Sequence, residues 1–165
     1  METQMKFNHF QFLMEKALPS GYDPAGELPS PEQLPPLVLA YIGDAFFNLH
    51  IRTMLLKYEQ NKVRVLHTYG AQMVSAAMQA LAVRELSAVL TEKEASIVRR
   101  GRNTKSKPAK NASISDYRYS TGFEALLGYL YLAAEQERLL EITEKAVAII
   151  SRGIIDHYEK FGDKR

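Results

Sequence analysis

The chain has 165 residues, which suits one domain built round one core. Apolar residues make up 46%, and 21 basic against 19 acidic residues leave a formal charge of only +2, so any attraction for nucleic acid has to be local. There is no cysteine, which excludes a disulfide scaffold, a thiolate zinc site and a cysteine nucleophile, and fits a reducing compartment.

Met1 to Leu18 mixes Glu2, Lys6, His9, Glu15 and Lys16 among its apolar residues and does not read as a signal peptide. Six of the seven prolines fall between Pro19 and Pro36, and Gly21 and Gly26 lie among them. Residues 1–33 therefore read as a tail and Pro-rich linker, and residues 34–165 as the folded domain. Leu37 to Lys57 is apolar on most sides and predicts a buried central helix. Lys62 to Tyr69 and Ala71 to Leu90 predict one or two helices, with an interruption at Gly70. Thr91-Glu-Lys-Glu94 is a capping box opening a helix to about Arg100, with Gly101 as its stop. Arg102 to Asp116 reads as a polar loop, Tyr117 to Ala134 as a second strongly apolar helix, and Glu135 to Phe161 as the last. In that last helix Leu139, Ile142, Ala146, Ile149 and Gly153 share one stripe. No strand pair or internal repeat is evident, so the fold class is all-α. The longest apolar stretches, Val38 to Phe47 and Gly122 to Ala134, are shorter than the roughly 20 residues that cross a bilayer. A soluble, cytoplasmic protein is expected.

Each of the two most apolar helices carries one lone acid. Asp44 is the only ionisable residue from Val38 to Phe47, and Glu124 the only one from Tyr119 to Ala134. A buried unpaired carboxylate is costly or becomes neutral, so each needs a counter-charge, a wet cleft or a metal ion. Structural roles are also open: Asp44 bonding a neighbouring helix or His50, and Glu124 sitting near a helix start. If the two carboxylates converge, they form a weak, open site for a hard cation. Magnesium takes one or two carboxylates, keeps several waters, and accepts phosphate oxygens in the remaining positions. Such a site suits metal-assisted phosphodiester hydrolysis with no nucleophilic side chain.

Arg99 to Lys110 holds six cations in twelve residues and no acid. Arg99, Arg100, Arg102, Asn103, Lys105, Lys107 and Lys110, with Arg118 just beyond, are the candidate contacts to a phosphate backbone. The alternative is a solvated loop after a helix end decorated by Arg99 and Arg100. His67 and Ser75 also fall in helices that could face bound RNA; packing or local hydrogen bonding is favoured for both over direct RNA contact.

The segments Leu39-Ala-Tyr-Ile-Gly-Asp-Ala-Phe-Phe47 and Tyr117-Arg-Tyr-Ser-Thr-Gly-Phe-Glu-Ala-Leu-Leu-Gly-Tyr-Leu-Tyr131 resemble the two acidic helices of ribonuclease III domains, in the same order and at a matching separation. Arg100-Gly-Arg-Asn-Thr-Lys-Ser106 and Tyr117-Arg-Tyr-Ser-Thr121 resemble one branch, Mini-ribonuclease III, which is the catalytic domain without a double-stranded-RNA-binding domain. The resemblance covers roughly Leu34 to the C-terminus. Larger enzymes of the family carry further acids where this chain has Leu37, Ala40 and Thr121. The resemblance implies an endonuclease-domain helical bundle and a homodimer that cuts both strands of an RNA duplex. It implies Asp44 and Glu124 as catalytic residues and ligands of Mg2+, and products with 5′-phosphate and 3′-hydroxyl ends. It further implies a stem of the 23S ribosomal RNA precursor as substrate, presented by a large-subunit ribosomal protein. The competing readings are a catalytically silent domain of this fold that binds structured RNA and a helical protein-interaction module. A small-nucleotide phosphohydrolase is a third, less favoured because there is no His-Asp pair of the usual kind and no glycine-rich phosphate loop.

Overall fold

The computed structural model describes residues 11, 15, 27–104 and 113–161. Within them the chain is helical, with no strand. A short 3₁₀ turn, Pro31–Gln33, leads into α1 (Pro36–Leu55), α2 (Val63–Met73), α3 (Ala76–Leu86), a second 3₁₀ turn (Ser87–Val89), α4 (Glu92–Arg102), α5 (Ile114–Leu132) and α6 (Gln136–Phe161).

α5 is the hub. Residues 120 to 130 are buried on every side except at Glu124. α1, α3 and α4 pack on it, and α6 closes the bundle chiefly against α3. Phe47 of α1 meets Phe123 of α5 edge-on, with ring centroids 5.1 Å apart. Leu39, Ile51, Leu86, Leu126, Leu130, Leu139, Ile142 and Ile150 complete the fully buried core. The stripe predicted on the last helix is the face that it buries: Leu139, Ile142, Ala146 and Ile149.

α1 and α5 cross backbone to backbone. A Cβ on Gly43 would lie 1.8 Å from the Glu124 carbonyl oxygen, and one on Gly128 would lie 1.9 Å from that of Leu39. Two glycines thus let the two acid-bearing helices touch, and Asp44 is the residue next to one of those contacts. Gly101 plays a like part between α4 and α5, where its Cβ would sit 2.8 Å from the Gly122 Cα.

Three expectations need correction. α1 is not buried all round: Leu39, Gly43, Phe47 and Ile51 face the core, while Leu37, Val38, Tyr41 and Leu49 are exposed. The break between the next helices lies at Ser75, not Gly70. α2 runs through Gly70, and Ser75 caps α3 by accepting from the Met78 amide. Nor does Gly101 stop its helix; α4 continues to Arg102, because Gly101 serves packing and not termination.

The Thr91–Glu94 capping box forms as read, with both reciprocal bonds present. Glu94 also anchors α6. Arg138 donates from Nε and Nη2 to its two carboxylate oxygens at 2.8 Å each, and from Nη2 to the Val89 carbonyl at 2.8 Å. The Glu94 carboxylate is only 6% exposed, and Arg138 holds it below the usual carboxylate range. Arg138→Ala would leave that charge buried and unpaired, so it should destabilise the fold by about 3 kcal/mol in a urea melt at neutral pH. A carboxyl with a depressed pKa contributes stability above its unfolded value, and this is lost as pH falls through the folded one. The deficit of Arg138→Ala should therefore shrink in acid.

Candidate functional site

α1, α3 and α5 form the walls of an open cleft of about 420 Å³ beside the Gly43 crossing. Asp44 and Glu124 both line it, together with Leu37, Ala40, Tyr41, Gln79, Tyr117, Ser120 and Thr121. The two lone acids of the sequence thus share one pocket. Leu37, Ala40 and Thr121 add no charge to its walls.

The two carboxylates have different surroundings. Asp44 is exposed at the mouth and accepts from Asn48 Nδ2 at 2.8 Å; His50 is not its partner. Glu124 lies deeper, mid-helix on α5 and away from any helix start. Its pKa is raised from 4.5 to about 8, first by burial and then by the negative charge of Asp44. The Gln79 amide against it opposes the shift. Among the described residues, neither acid has a cation within 4 Å and no third acid or histidine joins them. A helical core with two acids facing one wet cleft and no protein counter-charge has the donor set of a hard divalent ion. Two of the hydroxyls nearby are committed: Ser120 and Thr121 both donate to the Tyr117 carbonyl, at 2.9 and 3.0 Å.

The basic segment divides. Arg99 and Arg100 are exposed on the last turn of α4, and Asn103 is exposed at its C-cap. Arg118 is exposed on α5. Arg102 is half-buried: its Nη1 donates to Tyr119 Oη at 3.1 Å, and its guanidinium lies 5.2 Å from the centre of that ring. Arg84 approaches the same ring at 4.3 Å while bonding Asp116 and Ser115. Arg102 therefore ties α4 to α5. Lys105, Lys107 and Lys110 lie outside the described residues. Ser75 keeps to local hydrogen bonding, as favoured, and His67 lies outside the cleft, in a separate groove between α1 and α2.

Sequence reasoning missed Gln79 as part of the site. It is an ordinary polar residue in an unremarkable stretch, and only the fold turns it toward the acids. Tyr41 was equally silent, since an aromatic beside Gly43 reads as core until the helix face is known.

The profile of the Ribonuclease III domain matches residues 37–135. A protein of Thermoanaerobacter sp. (strain X514) named Mini-ribonuclease 3 is 50% identical over 118 residues, covering 71% of this chain and 83% of its own. Proteins of the same name from Clostridium tetani and Symbiobacterium thermophilum are 45% and 46% identical over 135 and 127 residues. They cover 81% and 76% of this chain and 89% and 98% of their own. The crystal structure of protein FN1578 from Fusobacterium nucleatum superposes with a TM-score of 0.64 at 29% identity, over 73% of this chain and 94% of that one.

Proposed function

We propose that this chain, which belongs to the ribonuclease III family and within it to the Mini-ribonuclease 3 proteins, is an endoribonuclease that cuts double-stranded RNA with magnesium held by Asp44 and Glu124. The observation that carries this reading is the convergence of two acids without a protein counter-charge in one open cleft. Both would hold the ion, Asp44 from the exposed mouth and Glu124 from the wall. A bound magnesium ion supplies an activated water and neutralises charge on the scissile phosphate. The chain's own residues do the rest. Asp44 stands where a strand can reach it, and Glu124, once it gives up its proton, adds the second negative ligand. Leu37 and Ala40 keep that wall of the cleft apolar. Water adds to phosphorus and the 3′ oxygen departs, so the products carry 5′-phosphate and 3′-hydroxyl ends.

A homodimer fits the surface. Leu37 and Val38 of α1 are 42% and 43% exposed and Tyr41 76%, an apolar face that borders the cleft and that a second copy would cover. Two-fold symmetry then offers one site to each strand of a duplex. The natural substrate proposed is the paired stem of the 23S ribosomal RNA precursor, presented by a large-subunit ribosomal protein in the cytoplasm. No described helix is long and apolar enough to cross a membrane.

The test is incubation of a long RNA duplex with the protein and magnesium, followed by analysis of the ends. Metal-dependent cuts leaving 5′-phosphates support the reading. Duplex binding with no cleavage would instead favour a silent RNA-binding domain.

The exposed cations Arg99 and Arg100, with Lys105, Lys107, Lys110, Asn103 and Arg118, are the proposed RNA contacts. Changing Arg99, Lys105 and Lys107 together to alanine should weaken duplex binding and flatten its salt dependence by about one unit of slope per lost phosphate contact. Arg102 is best left intact, because its loss would also release Tyr119. An unchanged salt slope would remove the segment from the RNA interface.

A further inference from the structure

Gln79 is 1% exposed, yet it lines the cleft beside both acids. Its Nε2 donates to the Val74 carbonyl at 3.0 Å, where the chain breaks between α2 and α3. That bond fixes the amide: exchanging its nitrogen and oxygen would set two acceptors against each other. The Oε1 is left buried with no hydrogen-bond partner, the sole buried side-chain atom in that state among the described residues. A leucine or methionine would fill this volume without an orphaned side-chain oxygen, at the cost of the bond to the Val74 carbonyl. A buried amide oxygen beside an acid pair needs a donor, and the two aliphatic hydroxyls of the cleft do not serve it: Ser120 and Thr121 give their protons to Tyr117.

We propose that Gln79 is a positioning residue whose Oε1 accepts a hydrogen bond from the water shell of the divalent ion held by Asp44 and Glu124. This rests on the metal reading of those two acids. Magnesium keeps several waters when few carboxylates bind it, and each needs an acceptor facing it. Leu37 and Ala40 of the same cleft bring no acceptor, and the amide oxygen of Gln79 fills part of that need. Partners of this kind typically govern metal affinity by roughly 10–100-fold.

The test uses the whole metal-free chain and manganese alone, with binding followed by calorimetry and folding by thermal melting. Gln79→Leu should weaken manganese binding roughly 10-fold or more while its metal-free melting temperature changes little, because the orphaned oxygen and the bond to Val74 are lost together. Gln79→Glu, which restores an acceptor of the same length, should recover affinity. Gln79→Leu binding manganese as the wild type does would overturn the proposal. So would an affinity loss that tracks a fall in melting temperature and that Gln79→Glu does not rescue. If the wild type itself binds no manganese, the acid-pair reading fails first and takes this one with it. Wild-type binding with no effect of Gln79→Leu sinks only the role of Gln79.

Discussion

Asp44→Asn should abolish cleavage of duplex RNA, by at least about 10³-fold, while leaving duplex binding and the melting temperature nearly unchanged. Losing an ionic ligand removes several kcal/mol of charge stabilisation at the scissile phosphate, and each 1.36 kcal/mol is tenfold in rate. The side chain is exposed at the cleft mouth, and it accepts a hydrogen bond from Asn48 on the same helix, a bond that an asparagine oxygen can also accept, so the fold loses little. Glu124→Gln should be equally inactive but for a different balance. The Glu124 pKa of about 8 lies above the unfolded value of 4.5, so the folded state binds a proton that the unfolded chain gives up. Metal-free stability therefore falls as pH rises from 4.5 through 8, and Glu124→Gln should escape that decline and melt higher than wild type at pH 8. The same proton competes with a metal ion for the carboxylate. Metal affinity should rise with pH up to about 8 and level off beyond it. A stability profile of the wild type that is flat across this range would contradict the burial of Glu124.

Gly43→Ala should be, with Gly128→Ala on the same crossing, among the most damaging single-methyl changes in the described residues. Its Cβ would fall 1.8 Å from the Glu124 carbonyl oxygen and 2.8 Å from the Gly128 nitrogen, and both obstacles are backbone. The α1–α5 crossing would have to open. We expect roughly 3 kcal/mol or more of destabilisation, a drop on the order of 10 °C in melting temperature. Activity should be lost even where the protein stays folded, because the displaced carbonyl belongs to Glu124, one of the two proposed metal ligands. Gly70→Ala is the control. Its Cβ meets only Leu55 Cδ1 at an ordinary 3.7 Å in mid-helix. Alanine there should be neutral or stabilising by up to about 1 kcal/mol. Equal melting of the two variants would refute the close crossing.

These glycines show what was legible in the chain and what was not. Periodicity and lone charges exposed α1, α5 and the acid pair, because an acid in an apolar helix conflicts with its setting and advertises itself. The capping box at Thr91 was legible because it is a local contract between two side chains. The helix break was misplaced because glycine has several uses. Gly70, Gly101 and Gly43 look alike in a string of letters, yet the first lies uncrowded inside α2, while the other two let helices touch. The exposed face of α1 was invisible for a related reason: Tyr41 and Leu49 are as apolar as Phe47, and only packing decides which of them is covered. Gln79 and the Arg138–Glu94 pair depend on contacts between residues far apart in the chain, which no local pattern carries.

The most direct measurement is calorimetric titration of the metal-free chain with manganese at pH 8, beside Asp44→Asn and Glu124→Gln. Saturable binding in the wild type that is lost in both variants is the expected result. Binding of equal strength in all three proteins would mean that the aspartate and the glutamate do not jointly hold the ion.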